Sequence, residues 1–281
     1  MTAAAVVDGP LVSVGIPTYN RPEGARRTLQ AIAGQTYGNL EIIVSDNASP
    51  DQRTEQAVAE IVARDRRVRF FRQSTNLGSS GNFQFLLGQA TGRYFMWAAD
   101  DDEWDASFVQ RCVAGFDRAD VVSVMSRFRT LYRASGRVEE PPVPRLDPAR
   151  SKAYNLSAFL RTPMPTLLYA LHRRDCLDFF RTETRWFDFY DCYFSLRLLT
   201  VGKIRIVPEV LYTAGVDSAD YVVKRVAGNR WVKLTYLPFL LAGRESIAAS
   251  DLSSAEKAVA VGTLGFTVVR LFLTHEIRNR R

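Results

Sequence analysis

The sequence predicts an α/β fold, a mainly parallel sheet flanked by helices with a helical C-terminal part. Short apolar runs alternate with segments of helical period through the first 120 residues. Each run ends in a polar cluster, and the last sixty residues show helical period without further strands.

Leu11-Val-Ser-Val-Gly-Ile16 reads as a buried strand stopped by Pro17, which cannot continue a ladder. Ala25, Leu29, Ile32 and Ala33 then fall at helical spacing from Glu23, and Gly34 supplies the stop. Leu40 to Val44 is the second strand, and Ala57, Val58, Ile61 and Val62 share one face of a helix over Thr54 to Arg64. Val68 to Phe71 is the third strand, Ser79 to Ala90 a helix with Phe83, Leu86 and Leu87 inward, and Tyr94 to Trp97 the fourth strand. Phe108, Val109, Cys112, Val113 and Phe116 mark another helix, and Val121 to Tyr132 another strand. The prolines between Arg137 and Asp147 predict a loop. Beyond it the pattern predicts a strand over Thr166 to Leu171, a helix over Asp191 to Thr200 closed by Gly202, and a strand over Lys203 to Val207. Helices follow around Tyr221 to Leu241 and Ser253 to Ile277. Strand-helix alternation at this rhythm implies crossover helices between parallel strands.

With 281 residues, 47% apolar and 24% charged, the chain has room for one large domain with an elaborated C-terminal part, which excludes disordered and collagen-like classes. Cys112, Cys176 and Cys192 are scattered and odd in number, which argues against a disulfide framework or zinc ribbon and for a reducing compartment. Met1 to Pro10 lacks the basic start and apolar core of a signal peptide, and no uninterrupted apolar run reaches the ~18 residues of a spanning helix. A cytoplasmic protein is expected. The net charge of +7 comes from five lysines and 32 arginines against 30 acids. Arginine suits phosphate and carboxylate partners, so a nucleotide, a nucleic acid and an anionic membrane all fit, while codon bias explains the excess more simply than any one of them.

In open α/β sheets ligands bind beyond the carboxyl ends of the strands. Four polar segments stand there: Pro17-Thr-Tyr-Asn20-Arg21, Ser45-Asp46-Asn47-Ala-Ser49, Asn76-Leu77-Gly78, and Asp100-Asp101-Asp102. Three successive aspartates and Glu103 repel one another unless a cation neutralises them, and hard oxygen donors select Mg²⁺ or Mn²⁺. The competing reading is a solvated acidic loop capping the next helix.

These segments, with Asn82 and Gly92-Arg-Tyr94, occur in the order and spacing of the family 2 glycosyltransferases of GT-A fold, which the chain resembles closely over its first 120 residues and weakly to about residue 220. The resemblance implies a GT-A domain over 1–220, with 1–120 binding the nucleotide sugar and 121–220 the acceptor, and a helical extension over 221–281. It places Pro17, Tyr19 and Arg21 around the base and diphosphate, lets Asp46 accept from a base N–H, and sets Asn76, Gly78 and Asn82 along the nucleotide and sugar. In the family's Asp-x-Asp motif the first acid touches ribose or sugar and the second holds the metal. Asp100 and Asp102 fit that spacing, whereas aligning Trp104 on the family's tryptophan moves the metal ligand to Asp101 and leaves Ala99 where the first acid belongs. Counting back from Arg197-Leu198 puts the catalytic base on Asp191, with Asp188 as runner-up and helix capping as the plain alternative for both. The family's histidine after Pro-Glu-x-Leu-Tyr is missing; Asp217 stands near that place, and His172 and His275 do not fit it.

The resemblance therefore implies an inverting, metal-dependent transferase taking a nucleotide diphosphate sugar, UDP ahead of GDP or dTDP. The acceptor is a small molecule, a saccharide or a lipid-linked molecule. Nucleic acid is not an expected partner, because acids crowd the strand ends. A nucleotidyltransferase lacks its Gly-rich basic loop here, and a non-catalytic module would leave the acids idle. The apolar Ala258 to Leu273, followed by Arg278, Arg280 and Arg281, packs on the core or a partner subunit or lies peripherally on an anionic membrane, with packing the preferred reading.

Overall fold

In a computed structural model, backbone is described for residues 9–216 and 232–279 and side chains for 9–216 and 236–271. The first half follows the expected alternation: β1 (Val12–Thr18), α1 (Pro22–Ala33), β2 (Leu40–Asp46), α2 (Arg53–Arg64), β3 (Val68–Arg72), α3 (Gly78–Gln89) and β4 (Tyr94–Trp97). Then come β5 (Glu103–Trp104), α4 (Phe108–Ala114), β6 (Val121–Tyr132), β7 (Arg137–Glu139) and α5 (Lys152–Arg161). A 3₁₀ turn at Pro165–Tyr169 leads to β8 (Leu171–Arg173), α6 (Asp178–Arg181), α7 (Tyr190–Val201) and β9 (Lys203–Val216). The helices α8 (Val232–Ala249) and α9 (Ser254–Asn279) complete the chain, so the expected helix from Tyr221 lies in its first part outside the described residues.

The sheet order is β3-β2-β1-β4-β8-β6-β9-β5, with β7 on β6. Strands β1 to β4 are parallel, as expected, and β1 and β4 flank the point where the order reverses. The second half is mixed: β8 runs antiparallel to β4 and β6, β9 parallel to β6, and β5 antiparallel to β9. The parallel expectation therefore holds for the crossover half only.

Several local expectations are corrected. Pro17 does not stop β1; it pairs with Ser45 within the strand. The Gly15 carbonyl accepts from Ala98 on the β4 side, and alternate residues face the same way, so Pro17 directs its missing N–H past the end of β4, where no ladder bond is lost. Thr166 to Leu171 is mostly the 3₁₀ turn, because Pro165 opens it with a helical φ. The proline-rich segment begins with β7, paired to β6. Helix α5 was not among the expectations: Ser151 Oγ accepts from the Tyr154 N–H as an N-cap, and Leu156, Phe159 and Leu160 are buried.

The core is centred on Trp97, fully buried, with Phe95, Phe180 and Phe83 at ring distances of 4.7, 4.8 and 5.6 Å. Gly92 is a packing requirement rather than a ligand contact, since a Cβ there would lie 2.7 Å from the Leu11 carbonyl oxygen and 2.8 Å from the Ser13 nitrogen. His172 is fully buried beside Trp97, and its Nε2–H donates to the Leu168 carbonyl while Nδ1 accepts from Ser123 Oγ. The structure thus assigns it to the core. Among the described residues no helix is long and apolar enough to cross a membrane.

Burial lowers the His172 pKa from 6.5 to about 4. A depressed histidine favours the folded state fully above pH 6.5, and that contribution disappears as the unfolded chain gains the proton down to pH 4. Denaturant unfolding should therefore lose on the order of a few kcal/mol across this window. His172→Gln should flatten that part of the profile, and an unchanged slope would refute the assignment.

Candidate functional site

A cleft of about 1060 Å³ opens at the carboxyl ends of β1 and β4. One side is formed by Pro17, Thr18, Tyr19 and Arg21 after β1, by Asn47 and Asn76, and by Ser79, Ser80 and Asn82 in the first turns of α3. Asp100 and Asp101 stand at its floor. The other side is aromatic, with Tyr169, Phe180, Trp186, Phe187, Phe189 and Tyr190 around Asp188 and Asp191, and Pro238 of α8 at its edge.

Polar ties between the strand-end loops set the donor side. Asn47 Nδ2 donates to Asn76 Oδ1 and to the Gly78 carbonyl, both at 3.0 Å, and its Oδ1 accepts from the Leu77 N–H. Ser45 Oγ donates to Asn82 Oδ1 at 2.6 Å, and Asn82 Nδ2 donates to the Ser45 carbonyl. Asp46 is fully buried; its Oδ1 accepts from the Ser49 N–H and hydroxyl, and Ser49 Oγ accepts from the Asn20 N–H. Among the described residues Asp46 Oδ2 has no hydrogen-bond partner, with the Arg72 guanidinium 3.8 Å away. A buried acceptor left in this state costs about 1–3 kcal/mol, which a donor N–H would recover.

Asn20, Ala48 and Phe189 are the non-glycine residues at positive φ among those described, at 53, 58 and 69°. Each borders the cleft: Asn20 between Tyr19 and Arg21, Ala48 beside Asn47, and Phe189 between the two acids at the start of α7. Such strain persists only where the surroundings enforce it.

The acidic triplet is divided in its orientation. Asp100 and Asp101 face the cleft, and Arg21 Nη1 lies 3.6 Å from Asp100 Oδ1 and 3.0 Å from Asp101 Oδ2. Thr18 Oγ1 donates to Asp100 Oδ2 at 2.8 Å, and burial raises the Asp100 pKa to about 6. Asp102, expected as metal ligand, does not line the cleft. Its Oδ2 accepts from the Tyr212 hydroxyl at 2.5 Å and its Oδ1 from the Gly215 N–H at 2.9 Å, both on β9, and burial raises its pKa to about 7. The turn at Asp100 and Asp101 presents both side chains to the cleft, and the bonds from Tyr212 and Gly215 hold Asp102 to the sheet.

The triplet's backbone is equally confined. The Ala99 carbonyl accepts from Thr28 Oγ1 at 3.1 Å and the Asp101 carbonyl from Arg133 at 2.7 Å. A Cβ at Gly24 would lie 2.3 Å from the Asp100 carbonyl oxygen, and one at Gly215 would lie 2.0 Å from that of Asp101. Among the described residues no group of three or more His, Cys, Asp or Glu is gathered as a metal cage. Two carboxylates on an open wall nevertheless suit Mg²⁺ or Mn²⁺, which take one or two protein carboxylates and fill the remaining positions with water and phosphate oxygens. Arg21 already supplies a counter-charge to the same pair, which marks the place as one where positive charge is stabilised.

On the opposite side, Asp191 Oδ1 accepts from the Cys192 N–H at 2.7 Å, and burial raises its pKa. The Tyr169 phenol is held neutral by burial and then by Asp102, Asp101, Asp191 and Asp100, so the two acidic groups share one electrostatic environment. Of the residues singled out from sequence, Pro17, Tyr19, Arg21, Asn76, Asn82, Asp100, Asp101, Asp188 and Asp191 line the cleft. Asp46 and Asp102 are buried and do not line it, and Gly78 is exposed beside it, its carbonyl bonded to the lining residue Asn47. The side chain of His275 and all of Asp217 lie outside the described residues. Sequence reasoning missed Thr18, Ser79, Ser80 and the aromatic wall. The density of Phe, Trp and Tyr from Tyr169 to Phe194 was the available signal.

Residues 13–177 match the sequence profile of Glycosyl transferase family 2. A Campylobacter jejuni protein named GalNAc(5)-diNAcBac-PP-undecaprenol beta-1,3-glucosyltransferase is 37% identical over 95 residues, 34% of this chain and 30% of that protein. The first curated relatives are thus matched over about a third of their length. The crystal structure of S. aureus TarS 1-349 in complex with UDP-GlcNAc superposes with a TM-score of 0.66 at 19% identity, over 90% of this chain and 71% of that one. The mannosyltransferase PcManGT from Pyrobaculum calidifontis, in complex with GDP-Man and Mn²⁺, superposes at 0.62 with 17% identity, over 99% and 88% of the chains. These likenesses show the GT-A fold.

Gly24→Ala and Gly215→Ala should each destabilise the protein by about 1–3 kcal/mol through overpacking. Gly88→Ala, in α3 with nothing within 4 Å of the new Cβ, should not. Denaturant midpoints test the contrast, and equal midpoints for all three would disprove the clamp.

Proposed function

The chain belongs to glycosyl transferase family 2, and from that premise we propose an inverting transfer of a sugar from a nucleoside diphosphate donor, UDP ahead of GDP or dTDP, to an acceptor hydroxyl. The observation that supports it is the meeting in one cleft of Asp100 and Asp101 from the end of β4 with Asp188 and Asp191 from the start of α7. The same fold holds UDP-GlcNAc in one solved relative and GDP-Man in another. Family membership as a glycosyltransferase leaves the nucleotidyltransferase and idle-module alternatives without support.

In this reading the base lies against Pro17 and Tyr19, and Asp46 Oδ2, paired in charge with Arg72 but without a hydrogen bond among the described residues, accepts its N–H. Asn76, Gly78, Asn82 and the serines opening α3 line the path of the diphosphate and sugar, with Arg21 beside it. Asp101, with Asp100, would hold Mg²⁺ or Mn²⁺, which when bound supplies neutralising charge for the departing diphosphate. Asp102 acts at one remove, fixing the two cleft acids through Tyr212 and Gly215. Asp191 takes the proton of the acceptor hydroxyl as its oxygen bonds to the anomeric carbon and the bond from that carbon to the phosphate oxygen breaks. Burial suits Asp191 to this work, because a carboxylate of raised pKa is a stronger base.

Calorimetric titration of UDP with and without Mn²⁺ should show metal-dependent binding, and Asp101→Asn should weaken that binding at least tenfold (about 1.4 kcal/mol). Equal binding without metal would remove the cation from the proposal.

Asp191→Asn should lower kcat by about 10²-fold or more with donor affinity retained. The base must be ionised, so the wild-type rate should rise with pH along a limb displaced above the ordinary carboxylate range near 4. Full turnover in Asp191→Asn together with loss in Asp188→Asn would transfer the role to Asp188.

A further inference from the structure

Helix α9 is apolar on two faces. Ala260, Leu264 and Thr267 are buried, with Thr267 Oγ1 donating to the Leu160 carbonyl of α5 and Leu264 lying over Gly243 of α8. The opposite face leaves Val259, Phe266 and Val269 exposed by 60, 67 and 54%, with open space above Gly262 between them. From Ala258 to Val269 there is no charged residue. On α8, Leu237 and Leu241 stand one turn apart, 45 and 49% exposed. A helix apolar all round requires cover on every side, and here the body covers one side.

The position of this surface relative to the cleft comes from the helix pairing. Gly243 meets Leu264, and the Ala248 carbonyl accepts from Lys257 Nζ, so α8 and α9 run antiparallel. The start of α8, whose Pro238 lines the cleft, therefore lies beside the half of α9 that holds Phe266 and Val269. Exposed Arg270 donates to the carbonyl of exposed Arg161, which brings two guanidinium-bearing residues to the border of the same surface. The sequence beyond continues through Arg278, Arg280 and Arg281.

We propose that the outward face of α8 and α9 docks on an anionic lipid bilayer, beside the part of the cleft that Pro238 lines. Apolar side chains enter the interface while flanking arginines meet anionic lipid, the arrangement of an interfacial helix rather than a spanning one. A second copy is the poorer occupant, because it offers the bordering Arg161 and Arg270 no anionic partner from this apolar patch. Of the preferred sequence expectation, packing on the core or a partner subunit, the core part is met by one face of α9. This surface is independent of the transfer chemistry, and its test requires neither donor nor metal.

Sedimentation of the whole chain with phosphatidylglycerol–phosphatidylcholine vesicles, compared with phosphatidylcholine alone, tests the proposal. Binding should require the anionic lipid and weaken from 50 to 500 mM salt, conditions on the order of those that shorten the screening length severalfold. Phe266→Asp/Val269→Asp should reduce it at least tenfold, and Arg270→Gln about fivefold. Because the replaced apolar side chains are exposed, an unchanged thermal unfolding midpoint confirms that the double variant folds. Wild-type protein left in the supernatant with anionic vesicles at low salt would overturn the proposal. So would a dimer in light scattering that Phe266→Asp dissociates, which would assign the face to a second copy.

Discussion

Confinement of three adjacent carboxylates at the end of β4 is the constraint on which the rest of the structure depends. Adjacent aspartates repel, and burial makes the repulsion worse. The fold resolves this by sending the side chains to different places: Asp102 into hydrogen bonds from Tyr212 and Gly215, Asp100 and Asp101 toward Arg21. Those bonds join the crossover half of the sheet to β9, whose Tyr212 packs 4.6 Å from Trp104 on the two-residue strand β5. Glycines at positions 24 and 215 allow two backbone carbonyls to pass where any side chain would collide.

Around that fixed point, rigidity and strain are distributed unequally. The donor side is a lattice of amide and hydroxyl bonds in which each loop is tied to its neighbour, with Asn47 spanning two of them. The opposite side is built from rings in contact, such as Trp186 on Tyr190 at 4.4 Å and Phe189 stacked on Tyr236 at 4.7 Å. Ring contacts tolerate sliding better than bifurcated amide bonds do. The geometry thus pairs a hydrogen-bonded polar wall with an aromatic one, and the left-handed backbone at Asn20, Ala48 and Phe189 marks where the chain bends beside them.

Much of the crossover half could be read directly. The apolar runs of β1 to β4 and the periodic faces of α1 and α2 report burial one residue at a time, so local pattern and fold agree. The second half resisted because its elements are short or depend on distant partners. Strand β5 exists only because β9 lies beside it, and Thr166 sits in a 3₁₀ turn because Pro165 outweighs its β-propensity. The aromatic wall was visible as composition, but rings from residues 169 to 190 meet at one cleft only after β8 and α7 have packed.

By itself the sequence determined which carboxylates would gather at the strand ends, because the period of a strand fixes where it stops and turn-forming residues set the polar loop after it. It left Asp101 and Asp102 as alternative cation ligands, since spacing alone cannot tell which side of a bend a side chain takes. Tertiary structure placed their side chains apart: the hydroxyl of Tyr212 and the amide of Gly215, 110 and 113 residues away along the chain, hold Asp102 to the sheet, while Asp101 faces the cleft. The same holds for α9, whose uncharged stretch from Ala258 to Val269 has apolar residues on more than one side and whose exposed face was decided by where α5 and α8 pack.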